Sequence, residues 1–165
     1  MSLSIRQNFF APQNYKFSIE RLPHVSYFTQ EANIPGLSIQ SVESPSPFRA
    51  IYRPGDQVSF DNLDITFLVD EDLRNYQEIF NWIVGLTYPD NFDQYANLLE
   101  GDGLYSDASL IVQDNSKTSN VEFKFKDIFP TSLGAISLDQ KQTSVDYATS
   151  TVSFQVNSFT VQKLS

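Results

Sequence analysis

Residues Phe67 to Ile83 read Phe-Leu-Val-Asp-Glu-Asp-Leu-Arg-Asn-Tyr-Gln-Glu-Ile-Phe-Asn-Trp-Ile. An apolar run of strand type meets three consecutive acids, and a helical pattern carrying the only tryptophan follows. Asp70 suits an N-cap, and Glu71 and Asp72 then fall in the first turn, where carboxylates complement the helix dipole. Leu73, Tyr76, Ile79, Phe80, Ile83 and Val84 recur at helical spacing, which predicts one apolar stripe with Trp82 on its flank. Gly85 is placed to end the helix. This stretch reads as a β-rich chain with one helix docked on it.

The rest of the chain is strand-rich. Tyr15 to Glu20 alternates, Arg21-Leu22-Pro23-His24 interrupts it as a loop, and Tyr27 to Ala32 reads as the return strand. Ile34-Pro35-Gly36 fits a type II turn, and Leu37 to Val42 a short strand. The prolines of Glu43-Ser44-Pro45-Ser46-Pro47-Phe48 predict an irregular arm or a sheet edge. A strand resumes at Ala50 to Arg53, and Pro54-Gly55-Asp56 reads as a second turn. Leu63 to Val69 is a strand. Phe92, Tyr95, Leu98 and Leu99 line a short second helix stopped by Gly101. Ala108 to Val112 and Val121 to Phe125 form a hairpin around Asp114-Asn115-Ser116-Lys117. Ile128-Phe129-Pro130-Thr131-Ser132 reads as a corner. Thr151 to Val156 is a central or closing strand, continued by Phe159 and Val161. The fold class is α+β: a mainly antiparallel sandwich or partly closed barrel, with the helix covering an opening or an edge. The 165 residues form one domain, with 14 Phe, 8 Tyr and 1 Trp to fill its core.

Catalysis finds little support. No cysteine is present, which excludes disulfides, thiolate metal sites and a cysteine nucleophile. His24, the only histidine, stands in the expected loop with no G-x-S-x-G elbow, and one histidine cannot build a zinc site of the usual His/Cys type. Glycine is too sparse for a phosphate cradle. Asp70, Glu71 and Asp72 read as capping residues, and Asp56, Asp61 and Asp64 as turn residues. Catalytic, cofactor and metal residues are therefore expected to be none. Met1 to Arg6 is too short and polar for a signal peptide, and no apolar run approaches the ~18 residues of a membrane span. A net charge of −9, with the basic residues scattered, argues against gripping nucleic acid. The Ser44–Phe48 segment reads either as a plain surface loop or as an extended arm to a neighbouring subunit.

The order Ile34-Pro35-Gly36, Arg53-Pro54-Gly55-Asp56, Ile65-Thr66-Phe67, then Val69-Asp70-Glu71-Asp72 opening a helix with Trp82, resembles the tail-tube superfamily of contractile-tailed phages. Leu110 to Lys117 and Phe129 to Leu133 are similar to its tail completion and sheath stabiliser branch in T-even-like myophages. The resemblance implies a non-enzymatic virion protein, assembled in the host cytoplasm as a homohexameric ring that terminates the tube at its head-proximal end. Implied partners are further copies of itself, the adjacent tube ring, and sheath and neck proteins. Double-stranded DNA would pass through the lumen without specific binding, and no membrane is involved. The resemblance makes the Ser44–Asp56 loop the inter-subunit or inter-ring arm, with Ser44, Pro45, Pro47, Phe48, Arg53 and Asp56 as its candidate residues. It makes the Asp70–Gly85 helix the outer element, with Asp70, Leu73, Tyr76, Ile79, Phe80, Trp82 and Ile83, and Val145–Val161 a source of inner strands. The alternatives are the repeating tube subunit, the baseplate initiator of the tube, or a carbohydrate- or receptor-binding sandwich.

Overall fold

Strict alternation makes the central strands. In β5 (Leu63–Leu68), Leu63, Ile65 and Phe67 are buried while Asp64 is exposed. In β8 (Thr149–Gln155), Ser150, Val152 and Phe154 are buried. Period-2 patterning of this kind puts one face of a sheet on the core and the other in water. The computed structural model describes residues 9–87, 92–93, 95–96, 103–141, 143–144 and 146–164. The sheet runs β1 (Tyr15–Ile19), β6 (Ser106–Gln113), β7 (Ser119–Leu133), β8, β5, β2 (Thr29–Ala32), and β9 (Ser158–Lys163) also pairs with β7. Every pairing is antiparallel. The two ends of the sheet approach each other, because the Tyr15 hydroxyl on β1 donates to the Gln30 carbonyl on β2 at 2.5 Å. That is the partly closed barrel.

β7 is where the sheet turns. Its first part pairs with β6 and β9, its last residues with β8. Between the two parts Asp127 has φ 53, and its amide donates to Asp107 Oδ1 at 3.2 Å. Strands that change partner at such a kink make the corners of sandwiches. The corner expected at Ile128–Ser132 thus lies at Asp127, and 128–133 stay in the strand. Phe159 and Val161 do not continue β8. They belong to β9, whose partner is the first part of β7. The hairpin around Asp114–Lys117 joins β6 to β7 as its turn residues require, with Asp114 Oδ1 accepting the Ser116 and Thr118 amides.

Three further departures have identifiable causes. Pro23 opens a short helix, α1 (Pro23–Phe28), where a loop and return strand were expected. Proline costs nothing in the first turn, and buried Val25 anchors it. β2 then pairs with β5 rather than β1. Ile34-Pro35-Gly36 is no type II turn, since Gly36 lacks the positive φ that turn needs. A Cβ at Gly36 would lie 2.7 Å from Asp61 Oδ2, and the Gly36 carbonyl accepts the Asp61 amide at 2.9 Å. Pro54-Gly55-Asp56 is likewise no turn. β4 (Ile51–Phe60) includes it, paired with β3 (Leu37–Ser44) with a register shift at 55–57.

The interior is apolar: Phe17, Ile19, Leu63, Ile65, Phe67, Leu110, Phe125, Ile128, Val152 and Phe154 line it. Each such side chain contributes about 1.5–3 kcal/mol on burial. α2 (Arg74–Thr87) closes the opening with Ile79 and Trp82. Of the expected second helix, Phe92, Asp93, Tyr95 and Ala96 are helical, and Leu98, Leu99 and Gly101 lie outside the described residues.

Candidate assembly interface

α2 does not start where its acids suggest. Asp70, Glu71 and Asp72 form a turn before it, closed by the Leu73 amide on the Asp70 carbonyl at 2.9 Å. The first intrahelical bond runs from the Gln77 amide to the Leu73 carbonyl, 2.9 Å. Leu73 therefore sits at the cap position, with φ 55 and no side-chain oxygen. Asn75 does the work expected of Asp70. Fully buried, it accepts the Asp70 amide on Oδ1 at 3.2 Å and donates from Nδ2 to the Leu68 carbonyl at 2.7 Å. Nothing in its spacing marks it. The only hint is an asparagine one helical turn before Ile79 on an otherwise apolar face.

The buried face of α2 is Asn75, Ile79, Trp82 and Gly85, so the stripe is rotated from the expected one. Gly85 lies inside the helix, which runs on to Thr87. Trp82 is central, not flanking. Its indole packs on Phe154 with centroids 6.1 Å apart, Nε1 donates to the Leu104 carbonyl at 3.3 Å, and the Arg21 guanidinium lies 4.7 Å over the ring. A tryptophan so buried is no ligand platform. Of the other helix residues singled out, Ile79 is buried, Tyr76 and Ile83 are half-buried, and Leu73 and Phe80 are half-exposed on the outer side. His24 on α1 pairs with Glu78 on α2 at 2.7 Å, joining the two helices. Among the described residues no three His, Cys, Asp or Glu side chains come together as a metal site would need.

The proline-containing segment is the tip of a long ribbon. Ser44 ends β3, Pro45, Pro47 and Phe48 lie in the connection, and Arg53 and Asp56 lie in β4. Among the described residues β3 and β4 pair only with each other. Along the ribbon Leu37, Ile39, Val42, Ile51, Tyr52 and Val58 are all exposed, and Phe48 at the tip is 97% exposed. These exposed apolar side chains make the ribbon a candidate contact surface.

A second surface is the outer face of β2, β5, β8 and the last part of β7. It carries Thr66, Thr131, Thr151 and Ser153, cross-linked by Thr66 Oγ1 to Thr151 Oγ1 at 3.2 Å and Thr131 Oγ1 to the Ser153 carbonyl at 3.1 Å. Ser153 also donates to Asp64. These four strand segments contain no lysine or arginine, and their only charged residues are Glu31 and Asp64. Lys16, Lys124, Lys126 and Lys163 all lie on β1, β7 and β9 in the other half of the sheet. Beside the closure, burial first and the Glu31 carboxylate second raise the Tyr15 phenol above its ordinary value.

A profile of phage tail tube proteins matches residues 4–162. The chain belongs to the phage tail tube protein family. Within that family it is 29% identical over 135 residues to the tail tube terminator protein of Enterobacteria phage T4, covering 73% of this chain and 71% of that one. Two solved structures share the fold of this tail tube family member. The tube-terminating cap of the anti-feeding prophage superposes with a TM-score of 0.70 at 17% identity over 99% of both chains. The sheath/tube terminator of an extracellular contractile injection system superposes at 0.63 with 15% identity, over 95% of this chain and 99% of that one. The family places the protein among structural tail components rather than enzymes.

Proposed function

We propose that this protein is a tube terminator: six copies close into a ring at the head-proximal end of a contractile phage tail tube, where the ring serves as a conduit for DNA and contacts the sheath. The observation that carries this reading is the similarity to the T4 tail tube terminator over 73% of the chain. The distribution of charge supports it. We assign the base-free face of β2, β5, β8 and β7 to the lumen. A wall of hydroxyls with scattered carboxylates and no cation lets a polyanion slide past without holding it. Six copies, each at −9, would carry about −54, which repels DNA further. Among the described residues the backbone of β2 pairs only with β5 and the last part of β7 only with β8, so neighbouring copies can join the wall there by strand pairing. The half-exposed Leu73 and Phe80 of α2 would meet the sheath.

Native mass measurement of the purified protein tests the ring. Six copies of the 18.8 kDa chain give a species of about 113 kDa, with six-fold class averages in negative stain. A monomer at every concentration, or a monomer that binds glycan saturably, would refute it.

A further inference from the structure

β1 and β2 are the two ends of the sheet, and among the described residues no backbone pairing joins them. One side chain crosses the seam between them. The Tyr15 hydroxyl, on the first residue of β1, donates to the Gln30 carbonyl in β2 at 2.5 Å. The phenol keeps this proton, because burial first and the Glu31 carboxylate second raise it above its ordinary value. The Tyr15 side chain also packs against the core, so the hydroxyl is presented from a fixed base.

Gln30 is also where β2 is irregular. Thr29 opposes Phe67 and Glu31 opposes Thr66, so Gln30 is an extra residue with no partner of its own on β5. Short strands, bulges and charges are devices that keep a sheet edge from pairing. β2 has all of them: it is 4 residues long, it is bulged at Gln30, and Glu31 is exposed. The Tyr15 hydroxyl adds one more. An amide of an incoming strand would stand about 2.9 Å from the carbonyl oxygen it bonds. At Gln30 the Tyr15 hydroxyl already holds that place. An added strand also needs a gap of about 4.8 Å beside β2, and the Tyr15 side chain reaches across that gap from β1.

We propose that the Tyr15–Gln30 hydrogen bond is an autoinhibitory latch: it keeps the β2 edge of a free subunit closed, and a strand of a neighbouring copy takes its place when the ring forms. This inference rests on the ring reading and adds what restrains the ring from forming. Joining copies exchanges one hydrogen bond within the subunit for a ladder between subunits, so the latch weakens association without preventing it. Only the unlatched fraction of subunits is competent to join, and the apparent affinity between copies falls by that fraction.

Tyr15→Phe removes the hydroxyl and keeps the aromatic ring. Light scattering coupled to gel filtration, run over a concentration series, reads the concentration at which half of the protein is in rings. The expected midpoint lies about threefold or more below that of the wild type, with the circular-dichroism spectrum unchanged. A second arm locks the latch shut. The chain has no cysteine, so Tyr15→Cys with Gln30→Cys forms a unique pair that a short bifunctional maleimide joins across the seam. The crosslinked subunit forms no rings, and the same double variant assembles before crosslinking. Should Tyr15→Phe lose its circular-dichroism spectrum, the crosslinking arm decides alone. A Tyr15→Phe midpoint equal to or above that of the wild type, rings built from crosslinked subunits, or a double variant that fails to assemble without the crosslink would each overturn the latch and leave the ring reading standing. Wild-type and Tyr15→Phe chains that both stay monomeric at every concentration would overturn the ring reading and the latch together.

Discussion

Asn75 donates from Nδ2 to the Leu68 carbonyl at 2.7 Å, and this bond fastens the first turn of α2 to the last residue of β5. The junction between strand and helix is thus held by a buried amide rather than by the acids that precede it. Asn75→Ala leaves the Leu68 carbonyl without its side-chain donor and the Asp70 amide without its acceptor. The expected loss is about 2–3 kcal/mol, the cost of stranding buried polar groups. That lowers Tm by roughly 4–12 °C in a chain of this size. Asp70→Ala, by contrast, shifts Tm little. Thermal melts of the two variants check this, and a larger loss for Asp70→Ala would contradict it.

The rotation of the helix separates two neighbours. Ile79 is fully buried and Phe80 is 51% exposed. Ile79→Asp places an unpaired charge in the core and abolishes folding. Phe80→Asp keeps the wild-type circular-dichroism spectrum, with stability changed by about 0.5 kcal/mol or less. Soluble, native-like Ile79→Asp protein would mean the helix packs by a different face.

Gly55→Ala forces the Gln40 carbonyl away from β4. The disturbance stays in the ribbon, since β3 and β4 pair only with each other among the described residues. The expected outcome is a folded subunit with wild-type Tm to within a few degrees and a reduced yield of rings. Deletion of Ser44 to Phe48 should act the same way. Cooperative unfolding of either variant would make the ribbon part of the folding core.

Wild-type rings should bind no double-stranded DNA at about 0.15 M salt. Thr151→Arg adds one cation per subunit to the face assigned to the lumen, and its rings should bind DNA with an affinity that falls steeply as salt rises. A gel shift across a salt series measures this. Tight binding by the wild-type ring, or none by Thr151→Arg, would move the lumen to another face.

Much of the scaffold is legible in the residues. The alternation of Leu63–Leu68 and Thr149–Gln155 and the Asp114–Lys117 turn are local signals, and local signals decide such elements. Three failures share a cause, which is that tertiary contacts outvote local preference. Pro54-Gly55-Asp56 has turn chemistry, but its glycine serves a close approach to Gln40 across the ribbon. Asp70 has cap chemistry, but Asn75 reaches the strand end first. Trp82 looks like a flank residue on a helical wheel centred on Phe80, and only the position of Phe154 shows that the wheel is turned. The ribbon was readable as a proline-marked arm at Ser44–Phe48. Its length was not, because it depends on the β3–β4 register.

The central claim is that this subunit terminates the tube. Gold labelling of an epitope-tagged copy in intact particles, viewed by electron microscopy, tests it most directly. The account predicts one labelled site per tail, at the end nearest the head. Label along the whole tube would make the protein the repeating tube subunit, and label at the baseplate would make it the initiator; either contradicts the account.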